Sequence, residues 1–139
     1  SALELEFTER VLIEDAPDTL RTFEGLRKLG VVLTIDDFGE GYSALNYLRR
    51  LPIHGLKLAQ DFLRGVPGNA SDAAICQAVA GIAQALGLEV VAEGVESGVQ
   101  RDFLLGLGIQ RGQGFLFSQA LEADAFGAFL RQSNAASNA

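Results

Sequence analysis

Cysteine and histidine each occur once in this chain, as Cys76 and His54. A lone cysteine forms no internal disulfide, which excludes a disulfide scaffold and fits a reducing cytosol. Cys76 reads instead as a small apolar side chain on a helix. Long hydrophobic runs are missing too: charges or glycines interrupt each one well short of the ~20 residues that a membrane span requires. Residues 1–10 contain no basic region leading into an apolar one, so no targeting segment is expected in this stretch. Positive charge is scarce, with 11 Lys and Arg against 18 Asp and Glu and a net charge of -7. That balance excludes a protein that grips long nucleic acid by neutralising phosphates, which takes a basic face. Small anionic ligands stay compatible with it, because carboxylates can hold divalent metals that present positive charge to a phosphate.

Apolar material for a core is present. Of the 139 residues, 48% are hydrophobic, and the mean hydropathy is +0.20, which indicates one folded unit rather than disorder. Short β-branched runs alternate with longer helical stretches, the rhythm of a parallel sheet. Strands are predicted at 3–8, 31–36, Gly55–Leu58, Glu89–Glu93 and 114–117. Leu20, Phe23 and Leu26 mark one face of a first helix, with Pro17 near its start and Gly30 at its end. Ile75, Val79, Ile82 and Leu86, spaced 4, 3 and 4 apart, share one side of a helix that begins near Ser71 or Asp72. Ser97 and Gln100 are spaced as a capping box ahead of Phe103, Leu104 and Leu107. Phe126, Phe129 and Leu130 predict a last amphipathic helix, and residues 132–139 offer so little to pack that a frayed tail is expected after a domain spanning 1–131. Five strands fall short of the eight of a closed α/β barrel, which leaves an open sheet or part of a barrel.

Acidic residues stand at or near the ends of these strands. Asp36 and Asp37 follow 31–35, Glu93 ends its strand, and Glu6 lies within the first. In a parallel α/β fold that end is where ligands bind. A single Asp there has an ordinary explanation as the cap of a turn. Two adjacent aspartates ahead of Phe38-Gly39-Glu40-Gly41 do not, because their repulsion must be offset by something positive. A metal ion would do that, and hard oxygen ligands favour magnesium or manganese. Glu93-Gly94-Val95-Glu96 repeats the theme. Lys57 sits inside a short apolar strand, where an amine is costly without an opposite charge, so it is expected to point toward the carboxylates or else to snorkel to solvent.

These residues fall within a longer pattern. Leu5-Glu6-Phe7-Thr8-Glu9, Asp36-Asp37-Phe38-Gly39-Glu40-Gly41-Tyr42-Ser43-Ala44-Leu45, Leu51-Pro52-Ile53 with Leu56-Lys57-Leu58, Val91-Ala92-Glu93-Gly94-Val95-Glu96 and Gln113-Gly114-Phe115-Leu116-Phe117 resemble, in order and spacing, successive motifs of the EAL-domain family. The resemblance implies an α/β fold, here a partial TIM-like (β/α) barrel of about five parallel strands alternating with helices. It implies two divalent metal ions, magnesium or manganese, and hydrolysis of cyclic di-GMP to the linear dinucleotide in bacterial signalling. By motif, Glu6, Asp36, Asp37 and Glu93 would be metal ligands, with Asp36 bridging. Lys57 would contact and help activate the attacking water, Gln113 would support the water or metal shell, and Glu96 would steady the loop 38–43. Phe38, Gly39, Gly41 and Tyr42 would lie on the substrate side. The implied partner is cyclic di-GMP and the implied place is the cytoplasm, alone or as a module of a membrane-anchored protein, without membrane insertion by this chain. No covalent nucleophile is required, so Cys76 needs no role, and His54 reads as a loop residue.

Three departures from the family pattern stand out. The signature Glu-Ala-Leu segment and a later asparagine, both sources of metal ligands, would come from strands preceding Ser1. Ala59 occupies the place of an aspartate two residues after the motif lysine, followed by Gln60-Asp61. Glu40 stands where a small or hydroxyl residue is common. The alternative is therefore a module that binds cyclic di-GMP or a partner protein without cleavage. A partial barrel would also leave strand edges unpaired and an apolar half-core uncovered along 31–35 and 90–92. Self-association as a homodimer, or completion by further strands, is the expected consequence.

Overall fold

Five strands and five helices follow one another along the described residues. The structure, a computed structural model, describes residues 3–10, 16–39, 48–114, 116 and 123–137. In chain order the elements are β1 (Glu4–Thr8), α1 (Ala16–Lys28), β2 (Val32–Phe38), β3 (Gly55–Leu58), α2 (Gln60–Leu63), α3 (Ala70–Leu86), β4 (Glu89–Glu93), α4 (Gly98–Gly106), β5 (Arg111–Gln113) and α5 (Ala123–Ser137). The five strands pair in parallel in the order β1-β2-β3-β4-β5. Among the described residues no helix is long and apolar enough to cross a membrane.

Alternation along the strands separates two faces. Leu5 pairs with Leu33, Phe7 with Ile35, Ile35 with Leu56, Leu56 with Val90 and Leu58 with Ala92, so these residues share one side. That side meets the helices: the Phe7 and Phe23 rings lie 4.4 Å apart, which packs β1 on α1. Leu33, Ile35, Leu56 and Leu58 are fully buried there, and each contributes about 1.5–3 kcal/mol of apolar burial. Cys76, Val79 and Ala83 of α3 cover the middle strands from the same side.

The opposite face corrects one expectation. Glu4, Glu6, Thr34, Asp36, Lys57, Glu89, Glu93 and Gln113 fall on it, and Val32 and Val91 are its apolar members among the described strand positions. No broad apolar half-core is therefore uncovered along 31–35 and 90–92: Leu33, Ile35, Val90 and Ala92 are buried beneath helices. Polar side chains on this face satisfy one another, as where Thr34 donates to Glu4 at 2.6 Å.

Two further expectations shift. Among the described residues the last strand is Arg111–Gln113; of the predicted 114–117, residues 115 and 117 lie outside the described ones. β5 can pair regularly only while β4 lasts, and their final partners are Glu93 and Gln113. Beyond them the bonds become irregular, with Val95 N donating to Gln113 O at 3.0 Å and Leu116 N to Val95 O at 3.0 Å. The final helix continues to Ser137, across residues expected to fray; Ala135 and Ala136 are strong helix formers that can carry it on. α3 starts one residue earlier than Ser71, because Asn69 caps it by accepting from Ser71 N and Asp72 N. The capping box of α4 forms as predicted, with Ser97 and Gln100 bonded reciprocally. His54 does more than occupy a loop: its Nδ1 accepts from Leu33 N at 3.1 Å.

Candidate functional site

The site is built from strand ends on the polar face. Glu6 lies in β1, Asp36 in β2 and Lys57 in β3, while Glu93 and Gln113 are the last residues of β4 and β5. Parallel pairing brings all of them to the carboxyl side of the sheet. Lys57 is the hub. It is 5% exposed, and its Nζ lies 2.9 Å from Glu6 Oε1, 2.5 Å from Glu93 Oε1 and 4.0 Å from Asp36 Oδ1. The amine points into the carboxylates and not out to solvent, because burying it beside Leu56 and Leu58 requires paired charge.

A bulge interrupts the alternation at the two consecutive aspartates, of which Asp36 joins the cluster with Glu6 and Glu93. Successive strand residues normally point to opposite faces. Between the pairs Ile35–Leu56 and Phe38–Leu58, β2 advances three residues while β3 advances two. The extra residue is accommodated at Asp37, whose φ is 51°, the left-handed region that aspartate tolerates better than most residues. Asp36 Oδ1 then accepts from Asp37 N at 2.9 Å. Phe38 returns to the helix face and is buried, so any ligand contact from this residue would have to come from its backbone.

The electrostatics follow from three carboxylates around one ammonium, with the charge of Asp37 acting on Glu93. Burial would lower the Lys57 pKa, but hydrogen bonds to Glu93 and Glu6, and the charges of both, outweigh it and hold the amine above its ordinary value. Glu93 stays above the ordinary carboxylate value despite Lys57. Burial raises it first, and the charges of Asp36 and Asp37 add to that against the pull of the lysine. Gln113 Nε2 donates to Glu93 Oε1 at 3.2 Å, which orients the carboxylate. Oxygens of Glu6, Asp36 and Glu93 lie within 4.8 Å of one another. This all-oxygen, under-neutralised set fits a hard divalent cation such as magnesium or manganese.

Other sequence-selected residues fall elsewhere. Gly39 follows the bulge, against the Phe62 ring. Gly41 and Tyr42 lie outside the described residues. Glu96 is exposed, and its Oε1 accepts from Gln60 Nε2 at 3.3 Å. Two glutamines near the site were not selected for it by sequence reasoning. Gln60 covers Gly94 so closely that a Cβ there would overlap its side chain. Gln100 bonds both the loop after β4 and the end of α2. Gln100 carried a sequence signal for its cap, but nothing local marks its longer reach.

A parallel sheet flanked by helices, with a carboxylate cluster at the strand ends, defines a partial TIM-like (β/α) barrel with an acidic site. The EAL domain family model matches residues 1–120. The chain belongs to the EAL-domain family. It is 48% identical over 129 residues to the cyclic di-GMP phosphodiesterase NbdA of Pseudomonas aeruginosa, covering 93% of this chain and 16% of that protein. It also resembles the EAL domain of Mycobacterium smegmatis DcpA, with a TM-score of 0.86 at 40% identity, over 93% of this chain and 58% of that one. A manganese and cyclic di-GMP complex of Klebsiella pneumoniae BlrP1 matches with a TM-score of 0.76 at 36% identity, over 84% of this chain and 30% of that one. The chain thus spans a minor part of NbdA and BlrP1 and somewhat over half of the DcpA domain.

Proposed function

We propose that this chain carries the catalytic face of a metal-dependent phosphodiesterase that hydrolyses cyclic di-GMP to the linear dinucleotide in bacterial second-messenger signalling. The observation that carries this reading is the convergence of Glu6, Asp36 and Glu93 around the buried Lys57 ammonium. Kinship with NbdA, and with BlrP1 in its manganese and cyclic di-GMP complex, supports it. Glu6, Asp36, Asp37 and Glu93 would hold two divalent ions, magnesium or manganese. Bound there, such ions supply positive charge to the phosphodiester and acidify water.

The protein's own groups orient and hold. Lys57, kept cationic by its carboxylate partners, directs the attacking water with a hydrogen bond. Gln113 fixes the Glu93 carboxylate, and by the family motif Glu96 would steady the loop 38–43. Gly39 and the backbone of Phe38 would bound the substrate side, and the family motif extends that role to Gly41 and Tyr42. No covalent nucleophile is needed, and Cys76 is buried against the Phe62 carbonyl. A cyclic dinucleotide messenger implies a cytoplasmic setting, alone or as a module of a membrane-anchored protein. The outer edge of β1, with Leu3 and Leu5 exposed, would take a second copy of the chain or further strands.

One observation favours a second reading, binding without cleavage. Ala59 begins α2 with no side-chain cap, where the family pattern has an aspartate, so the support behind Lys57 is reduced. Incubating purified chain with manganese and cyclic di-GMP tests both readings, with chromatography for linear product and calorimetry for binding. Product that Glu93→Gln abolishes supports hydrolysis, and binding without product supports the second reading. Neither binding nor product would sink both for this chain.

A further inference from the structure

We propose that Gln100 is a positioning residue for the acidic site, a side-chain amide that clamps the loop following Glu93 to the helix following Lys57. Its functional consequence rests on the metal-site reading above. An ordinary capping box accounts for part of its bonding: Oε1 accepts from Ser97 N at 3.2 Å, and Ser97 Oγ accepts from Gln100 N at 3.2 Å. Two bonds exceed that role. Oε1 also accepts from Glu96 N at a shorter 2.8 Å, and Nε2 donates to Leu63 O at 2.7 Å, 37 residues away in sequence. Gln100 is 9% exposed, so water is a poor substitute for a lost partner.

The clamp holds α2, and α2 touches both acid-bearing loops. Its Phe62 ring lies against Gly39, just after the Asp36–Asp37 bulge, where a Cβ would come within 2.9 Å of Phe62 Cε2. Its Gln60 lies over Gly94, just after Glu93, and donates to Glu96. Ala59 gives α2 no side-chain cap at its start, while Gln100 anchors its last residue. Releasing that anchor frees α2 to shift, and Phe62 and Gln60 carry the shift to the segments behind Asp37 and Glu93. The spacing of the carboxylates then changes although no ligand has been removed.

Gln100→Glu separates clamp from cap. Glutamate serves a capping box as well as glutamine does and keeps both acceptor bonds, but it turns a carboxylate oxygen toward Leu63 O in place of a donor. Ser97→Ala does the converse, removing the cap and leaving the clamp. Manganese affinity of the full 139-residue chain is measured by calorimetry, and metal-free amide spectra are recorded beside it. Q100E is expected to weaken manganese binding by about 10–100-fold, the range typical of lost outer-shell support, while S97A lowers the melting temperature and keeps affinity within about twofold. Q100E should also move the amides of Gly39 and Gly94. Unchanged affinity in Q100E, or amide shifts confined to residues 96–101, would overturn the clamp. If the unsubstituted chain binds no manganese, the metal-site reading fails and the amide pattern alone decides the clamp. Should Q100E not fold, Gln100→Met, similar in volume, takes its place with the same expected and overturning results.

Discussion

Lys57 and Glu6 are joined across an intervening strand: Lys57 Nζ lies 2.9 Å from both carboxylate oxygens of Glu6, although β2 separates β1 from β3. Two strand spacings amount to about 9.6 Å, a gap closed by the long lysine stem and the glutamate reaching toward each other. The same ammonium meets Glu93 on the other side. One cation thus ties β1 to β4 through the polar face.

Replacing that cation tests what the cluster needs. Lys57→Met should destabilise the metal-free chain by about 1–3 kcal/mol, as charge-assisted bonds are lost and carboxylates face one another unneutralised. Manganese should raise the melting temperature of the variant more than that of the unsubstituted chain, because it supplies the missing charge. Equal gains in both would contradict this.

Glu93 carries a pH signature. Its pKa is held above the ordinary carboxylate value, first by burial and then by Asp36 and Asp37, against Lys57. A raised folded pKa means that stability from this group is present below the unfolded value and is lost as pH rises through the folded one. Without metal at pH 7, Glu93→Gln should therefore melt at or above the unsubstituted chain. The difference should close as pH falls to about 4. A variant that melts several degrees lower at pH 7 would refute the sign, whatever happens to metal affinity.

Asp37 should show a trade between stability and binding. At φ 51° glycine is free of the side-chain cost, so Asp37→Gly is expected to stabilise by up to about 1 kcal/mol. Manganese affinity should fall by about tenfold or more, since a carboxylate near the site is gone. Asp37→Val, β-branched, should instead lose stability. Denaturant titration and calorimetry on both variants check this. Stabilisation by valine would rule out the left-handed geometry.

Cys76 should be chemically silent in the folded chain. Its thiol is pushed up to about 11, mainly by burial and further by the charge of Asp72. Stability from this group is complete below its ordinary value of 9.0 and declines as pH rises toward about 11. A thiol-reactive chromophore at pH 8 should label the protein no faster than it unfolds. Rapid stoichiometric labelling of native chain would show that the site is open.

Local pattern made much of the molecule legible in advance. The spacing of Ile75, Val79, Ile82 and Leu86 anticipated α3, the Ser97–Gln100 signature anticipated the cap of α4, and the acidic motifs singled out Glu6, Asp36 and Glu93, which gather at the strand ends, along with Asp37, which stands beside them. These signals are local because helix periodicity, caps and family motifs each depend on neighbours a few residues apart.

By itself, then, the sequence determined the alternation of strands and helices, the family, and the chemical identity of the acidic residues. Tertiary structure alone decided their geometry. The bulge at Asp37 exists because β2 must stay in register with β3 while gaining a residue, and β5 ends at Gln113 because β4 ends at Glu93. The face left open by the partial barrel is polar because strand pairing sends Leu33, Ile35, Val90 and Ala92 under the helices. The reach of Lys57 to Glu6 and of Gln100 to Leu63 spans 51 and 37 residues of chain. No local preference encodes such contacts, since they arise only when separately formed segments are brought into register and packed.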